Sequence, residues 1–386
     1  MHILSIFGTR PEAIKMAPVI HALKANAAFT ATVCVTAQHR QMLDQVLELF
    51  AIRPDYDLDI MQEGQDLFGL TARMLPALRN VLLAEQPDLV LVQGDTTTCF
   101  VGSLAAFYLR IPVGHVEAGL RTRDIYAPFP EEANRAMTSR LAALHFAPTE
   151  QARRNLLAEG IAADTVHVTG NTVIDALLHV RGQLTAEQNW RGVFGSADAV
   201  IHERRPYILI TGHRRENFGS GFQRICEAVA LLAERRPHLH FIYPVHLNPN
   251  VQGPVYSILS RIANVHLIPP LDYAPFVHAM NHARLILTDS GGVQEEAPSL
   301  GKPVLVTRET TERPEAVAAG TVLLVGTDKA RIIQETERLL DDEALYRKMS
   351  GTINPYGDGH AAMRIAALLQ QWADTCQDPT DYIPIF

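Results

Sequence analysis

Short apolar runs without polar alternation recur along the chain, separated by longer stretches with helical spacing. In the first half the runs are His2–Phe7, Ala31–Thr36, Asp88–Val92, Ile111–Val116, Ala143–Ala147 and Val166–Thr169. In the second half they are Tyr207–Thr211, His240–Pro244, Val265–Ile268, Leu285–Thr288, Pro303–Val306 and Val322–Val325. Continuous apolar runs suit strands buried on both faces of a parallel sheet. Between them the pattern predicts amphipathic helices. In Pro11–Ala25, Met16, Val19, Ile20 and Leu23 fall on one face at i, i+3, i+4 and i+7. Six runs come before roughly residue 170 and six after roughly residue 205, so the pattern predicts two doubly wound α/β domains of similar size. The stretch Arg181–Pro206 has weak periodicity and mixed charge. It predicts a helix followed by an irregular connection. Ala361–Ala373 is helical in pattern, and Pro379–Phe386 predicts a loose tail.

The length of 386 residues fits this division, since domains average about 150 residues. With 47% hydrophobic and 20% charged residues the chain is globular in composition, which excludes disorder as its main state. A net charge of −8 argues against general binding of nucleic acid or anionic membranes. Local cationic pockets for small anions remain open. No apolar stretch approaches the ~18 residues that would mark a membrane span. The opening residues lack the basic region and cleavage site of a secretion signal. Cys34, Cys99, Cys226 and Cys376 are far apart and form no CxxC, so a reducing cytoplasm is expected rather than a disulfide framework. The sixteen histidines include no HExxH and no Cys/His cluster, so no metal site is expected.

In open parallel sheets ligands bind beyond the carboxyl ends of the strands, so the chemistry is sought there. The first strand runs into Gly8-Thr9-Arg10-Pro11, a glycine turn opening a helix, with Arg10 and Lys15 as nearby cations. It is not GxGxxG, so a dinucleotide cofactor is not expected. Asp95 follows the third run, either as a helix N-cap or as an acid/base group. Glu117 follows the fourth. Glu131 lies in the first turn of a helix over Pro130–Leu141, where the helix dipole alone would favour an acid. Three carboxylates after successive parts of one sheet suit shared acid and base work. In the second half, His213-Arg214-Arg215 at a strand end reads as an anion clamp with a titratable imidazole. Asp289-Ser290-Gly291-Gly292 places two glycines at a helix start, where backbone N–H groups and the Ser290 hydroxyl suit phosphate. Glu296, one turn deeper, suits a ribose diol, and Arg313 a further phosphate contact.

Together these motifs resemble the non-hydrolysing UDP-N-acetylglucosamine 2-epimerases. The matching stretches are FGTRPEAIKMAP, TAQHRQMLDQV, GDTTT, HVEAGLRT, PEEANR, TGNTVIDAL, TGHRREN, YPVHLNPN, LTDSGGVQEEAPSLGKPVLV, TTERPEAV and NPYGDG, from Phe7 to about His360. The resemblance implies two Rossmann-like domains in a glycosyltransferase-B-like arrangement, with the active site in the cleft between them. It divides the chain into residues 1–170, completed by a C-terminal helix over about 365–386, and a UDP-binding domain over 171–364. It further implies a cytoplasmic homodimer that interconverts UDP-GlcNAc and UDP-ManNAc without a cofactor and supplies precursors for surface polysaccharide. Carried over by position, the catalytic candidates are Asp95, Glu117, Glu131 and His213. The substrate contacts are Arg10, Lys15, Leu271, Phe276, Ser290, Gly291, Gly292, Glu296 and Arg313. Leu271 departs from the family, in which this position is often Gln. Gln38, Gln41, Arg214 and His246 match a site at which substrate activates bacterial members.

The proton on C2 of such a sugar is barely acidic. Without a dinucleotide, the expected route is anti elimination of UDP to 2-acetamidoglucal, followed by re-addition with a proton delivered to the other face. Two of the three carboxylates would handle that proton. A 2-epimerase acting on a modified UDP-amino sugar, a glycosyltransferase of the same fold and an inactive UDP-sugar sensor are the competing readings.

Overall fold

The computed structural model describes residues 1–37, 40–62, 64–184 and 190–375. The chain divides into two compact units. One is Met1–Ala176 together with the segment that begins at Tyr356, and the other is Leu177–Pro355.

The first unit contains a seven-stranded sheet: β1 (His2–Phe7), β2 (Thr30–Val35), β3 (Tyr56–Asp57), β4 (Leu89–Gln93), β5 (Val113–Val116), β6 (Leu144–Ala147) and β7 (Val166–Val168). Their order is β3-β2-β1-β4-β5-β6-β7, with parallel pairing throughout. The sheet grows outward in both directions from the β1–β4 pair, and that reversal opens a crevice at the carboxyl ends of the two strands. Every residue of β4, β5 and β6 is buried, as strands covered on both faces require. β3 was not expected from the sequence. It has two residues, paired with Cys34 and Val35, too few to leave a periodic signal. Pro112 and Pro303 were expected inside strands, but β5 and β12 begin one residue later, because proline has no N–H to give a ladder.

The helix Arg10–Lys24 starts where its caps dictate. Thr9 is the N-cap, Pro11 lies in the first turn, and Glu12 closes a capping box. Met16, Val19, Ile20 and Leu23 are all buried, as their spacing predicts. The helix Leu67–Glu85 is long and apolar enough to cross a membrane by length and composition alone. It instead packs Leu70, Met74, Leu78, Val81 and Leu82 into a core with Leu4, Ile6, Val90 and Val92 of the sheet. The last described helix is Ala361–Thr375; the remainder of the expected C-terminal helix and tail lies outside the described residues.

The second unit contains β8 (Tyr207–Thr211), β9 (His240–Pro244), β10 (Val265–Ile268), β11 (Leu285–Thr288), β12 (Val304–Val306) and β13 (Val322–Leu324). Their order is β10-β9-β8-β11-β12-β13, again all parallel, with the reversal between β8 and β11. Its core packs Ile208, Ile210, Phe241, Tyr243, Leu285 and Leu287 against Phe222, Val229, Val255 and Ile332 of the helices. The weakly periodic stretch before β8 ends in a 3-10 turn, Gly195–Ala197, and a short helix, Asp198–His202. The architecture is therefore the expected pair of doubly wound α/β units.

Candidate active site

In the first unit the loops after β1, β4 and β5 converge on the reversal point. Gly8 follows β1 so closely packed that a β-carbon there would stand 2.0 Å from Thr36 Oγ1 and 2.6 Å from Thr98 Oγ1. Only glycine fits. The buried Glu12 carboxylate accepts hydrogen bonds from Gly8 N at 3.1 Å and Thr9 N at 2.8 Å, and from the Thr96 hydroxyl at 2.7 Å. One side chain thus joins the loop carrying Arg10 to the loop carrying Asp95. The Arg10 guanidinium is half-buried and makes no hydrogen bond or ion pair with a described residue. Asp95 is not the helix N-cap. Thr96 takes that role for the helix Thr97–Tyr108, which leaves the Asp95 carboxyl for other work.

The three carboxylates have different surroundings. Glu117 follows β5 in a left-handed backbone conformation, φ 64°, which a non-glycine residue adopts only when its surroundings hold it there. Its Oε1 meets Lys15 Nζ at 2.5 Å and accepts from Asn171 Nδ2 at 2.8 Å, and its Oε2 accepts from Gln93 Nε2. Asp95 faces Arg135 at 3.4 Å and its side chain is 31% exposed. Burial of its carboxyl raises the Asp95 pKa, and the Glu117 and Glu131 charges add to this against Arg135 and Lys15. Glu131 stands in the first helical turn after Pro130, and its Oε2 is buried without a hydrogen-bond partner among the described residues. His115, on the strand before Glu117, is fully buried and donates from Nε2 to Gly94 O at 2.7 Å; burial lowers its pKa to about 3, so it stays neutral.

In the second unit the organising residue is Asp289, fully buried after β11. It accepts from His213 N at 3.0 Å, Arg214 N at 2.9 Å and Asn217 Nδ2 at 3.2 Å, which folds the loop after β8 over the start of the helix Gly291–Glu296. The His213 ring is 41% exposed, stacks on His246 at 5.7 Å and approaches Asp289 through Nδ1 at 3.5 Å. Burial, aided by Arg214 and His246, lowers its pKa against the pull of Asp289. A β-carbon on Gly291 would stand 3.4 Å from one Arg214 guanidinium nitrogen and 3.8 Å from one of Arg313. Two cations therefore flank the glycine start of a helix, an arrangement suited to a diphosphate. The Arg313 side chain is aimed by its ion pair with the buried Glu295, and its backbone N–H donates to Thr311 Oγ1 at 3.1 Å. Glu296 accepts from Tyr273 OH at 2.6 Å. Tyr273 opens the helix that carries the half-buried Phe276, so Glu296 and Phe276 share one wall, with Leu271 just before it.

Each unit thus gathers its own set of candidates. Two differ in setting from the expectation. Lys15 is engaged with Glu117, and Arg214, expected at an activating site, stands beside Arg313 at Gly291. Gln38 and the side chain of Gln41 lie outside the described residues. The sequence reading did not single out Glu12, Gln93, Arg135, Asn171, Asp289 or Tyr273, which hold the candidates in place. Glu12, Arg135, Asn171 and Asp289 were signalled only by membership of the matching stretches; Gln93 and Tyr273 lie outside those stretches. Among the described residues, no group of three or more His, Cys, Asp or Glu side chains is placed to hold a metal.

A model of the UDP-N-acetylglucosamine 2-epimerase family matches residues 21–370. The chain is 60% identical over 370 residues to UDP-N-acetylglucosamine 2-epimerase of Escherichia coli strain K12, a match covering 96% of this chain and 98% of the relative. The crystal structure of UDP-GlcNAc 2-epimerase from Neisseria meningitidis bound to UDP-GlcNAc superposes with a TM-score of 0.89 at 53% identity, covering 96% of this chain and 100% of that one. The glycotransferase of kitacinnamycin, 13% identical with a TM-score of 0.65 over 96% of this chain and 98% of its own, shares the fold.

Proposed function

The chain belongs to the UDP-N-acetylglucosamine 2-epimerase family, and from that premise we propose that it inverts C2 of UDP-GlcNAc to give UDP-ManNAc, reversibly. The second unit holds UDP. The Gly291 helix start, Ser290, Arg214 and Arg313 take the diphosphate, Glu296 takes the ribose, and Phe276 and Leu271 stand beside them. The half-exposed His213 ring stands beside them and can hydrogen-bond the departing phosphate. The first unit performs the proton chemistry. A carboxylate removes the C2 proton. The C2–H electron pair becomes the C1=C2 double bond of 2-acetamidoglucal, and the C1–O bond breaks with its electrons passing to UDP. In the return step UDP adds back to C1, and a carboxylic acid delivers a proton to the opposite face of C2.

The observation that carries this reading is the unequal partnering of the three carboxylates. Glu117 has donors on both oxygens, which favour its charged form. Glu131 keeps a buried, unpartnered oxygen. Asp95 has a raised pKa, which suits a group that must both release and accept a proton. Asp95 and Glu131 are therefore the pair assigned to the C2 proton. Incubation with UDP-GlcNAc in D2O, without acceptor or NAD, should yield UDP-ManNAc bearing deuterium at C2, with traces of free UDP and 2-acetamidoglucal. Epimerised product that retains hydrogen at C2 would exclude a solvent-exchanging base. An absence of product would redirect the reading to a modified amino sugar.

The working form we propose is a cytoplasmic homodimer. Leu83, Phe107, Tyr108 and Met137 are exposed on three helices of the first unit, of which the middle one, Thr97–Tyr108, packs against both others, which fits a surface covered by a second copy. Cys34, Cys99 and Cys226 are free and buried, which fits a reducing compartment.

A further inference from the structure

Lys15, Gln93 and Asn171 donate hydrogen bonds to Glu117, and Asn171 is placed by a part of the chain far from the sheet. Asn171 is 1% exposed. Its Nδ2 donates to Glu117 Oε1 at 2.8 Å, and its Oδ1 accepts from Val173 N at 3.1 Å, at the start of the helix Thr172–Gln183. The two contacts fix which way the amide points, since an NH2 group facing Val173 N–H would leave donor against donor. The backbone N–H of Asn171 donates to Tyr356 O at 2.6 Å, in the segment that returns to the first unit. Gly170, φ 90°, and Gly357, φ 145°, let the two backbones approach, so that a β-carbon on Gly170 would stand 3.5 Å from Gly357 Cα. Asp175 then accepts from Ala361 N and Ala362 N at 3.2 and 2.8 Å, which fastens the same two segments a turn further on.

Capping the local helix needs only Oδ1. The N–H donor is surplus to that task, and it goes to the Glu117 carboxylate in the candidate site. We propose that Asn171 is a positioning residue for the epimerisation, holding Glu117 in its strained backbone setting as an anion beside Lys15. This rests on the proposed function. Asn171 touches no reacting atom; it acts through Glu117.

An Asn171→Asp variant separates the two roles, because aspartate caps a helix as well as asparagine and brings no N–H. Among the described residues, the titratable and charged groups facing Glu117 include Lys15, Asp95, His115 and Cys99. Burial keeps His115 neutral, with its pKa at about 3, and raises that of Cys99 well above its usual value, so neither changes charge near neutrality. A carboxyl at position 171 would be a new titrating neighbour, sharing a proton with Glu117. While that proton is present, an O–H replaces the lost N–H. When it leaves, two carboxylates repel. The kcat of Asn171→Asp relative to wild type, measured on UDP-GlcNAc with the full-length enzyme, should therefore fall at least about tenfold between roughly pH 6 and roughly pH 9. The KM and the thermal midpoint at neutral pH should stay near wild type. An Asn171→Ala variant should lose kcat at every pH. A kcat ratio for Asn171→Asp that stays flat with pH, whatever its height, overturns the assignment. Wild-type enzyme assayed alongside keeps the two readings apart. No turnover by wild type ends the proposed activity, whereas a flat ratio on an active wild type ends only the role of Asn171.

Discussion

Glu117 and Glu131 reach one site with opposite surroundings, a contrast set by partners that no local spacing encodes. Saturated with donors, Glu117 gains nothing by taking a proton, whereas Glu131 keeps an oxygen without a partner. Asp95→Asn and Glu131→Gln should therefore fold and bind UDP normally while losing roughly 10²-fold or more in kcat. Near-full turnover in either variant would remove that residue from the proton pair. Arg313→Ala should do the reverse, weakening UDP binding by about 1.5–3 kcal/mol in calorimetry through loss of a charge-assisted contact. The strand-end positions of Asp95, Glu117 and His213 were legible because a parallel sheet directs whatever follows its strands toward the crevice. Gln93, Asn171 and Asp289 were not, because an amide or acid that serves another side chain leaves no periodicity behind. Lys15 shows the same limit. A cation near a glycine loop suggests an anionic ligand, but its nearest anion is Glu117, 102 residues away in sequence.

At the scale of elements, the helix start after β1 is built around Glu12, which burial pushes up to about 7 from an ordinary 4.5 despite its hydrogen bonds. Between those values the folded chain keeps a proton that the unfolded chain has released. This contribution to stability is full below pH 4.5 and is lost as the pH rises through about 7. Glu12→Gln has no such proton to hold. The stability of wild type relative to this variant, from urea midpoints, should fall steadily across that window, and parallel midpoints would show that Glu12 is already ionised in the fold. Most strands were legible from continuous apolar runs, all six of the second unit to within a residue at both ends. β3 was missed because its two residues are held by pairing with β2, not by a pattern of their own. Asp95 was open between capping and catalysis until Thr96 was found to be the cap.

At the scale of the whole molecule, the helix Leu67–Glu85 has apolar composition beyond what its own core uses, and Leu83 stays 48% exposed on it. Phe107 and Tyr108, at the end of the helix packed beside it, are 53% and 56% exposed. Charged replacements, Phe107→Glu with Tyr108→Glu, should turn a two-chain species into a one-chain species in sedimentation, and an unchanged mass would place any dimer contact elsewhere. That two doubly wound units are present was legible in the halving of the apolar runs; which helix faces stay uncovered was not, since exposure depends on neighbours. Each sheet reverses its strand order once, β1 against β4 and β8 against β11, and each reversal carries a separate set of polar residues. A lineage built on such a chain can alter the transformation while keeping the handle. Changes confined to the loops after β4 and β5 would alter the set of carboxylates, with the arginines and glycine helix start after β8 and β11 inherited intact.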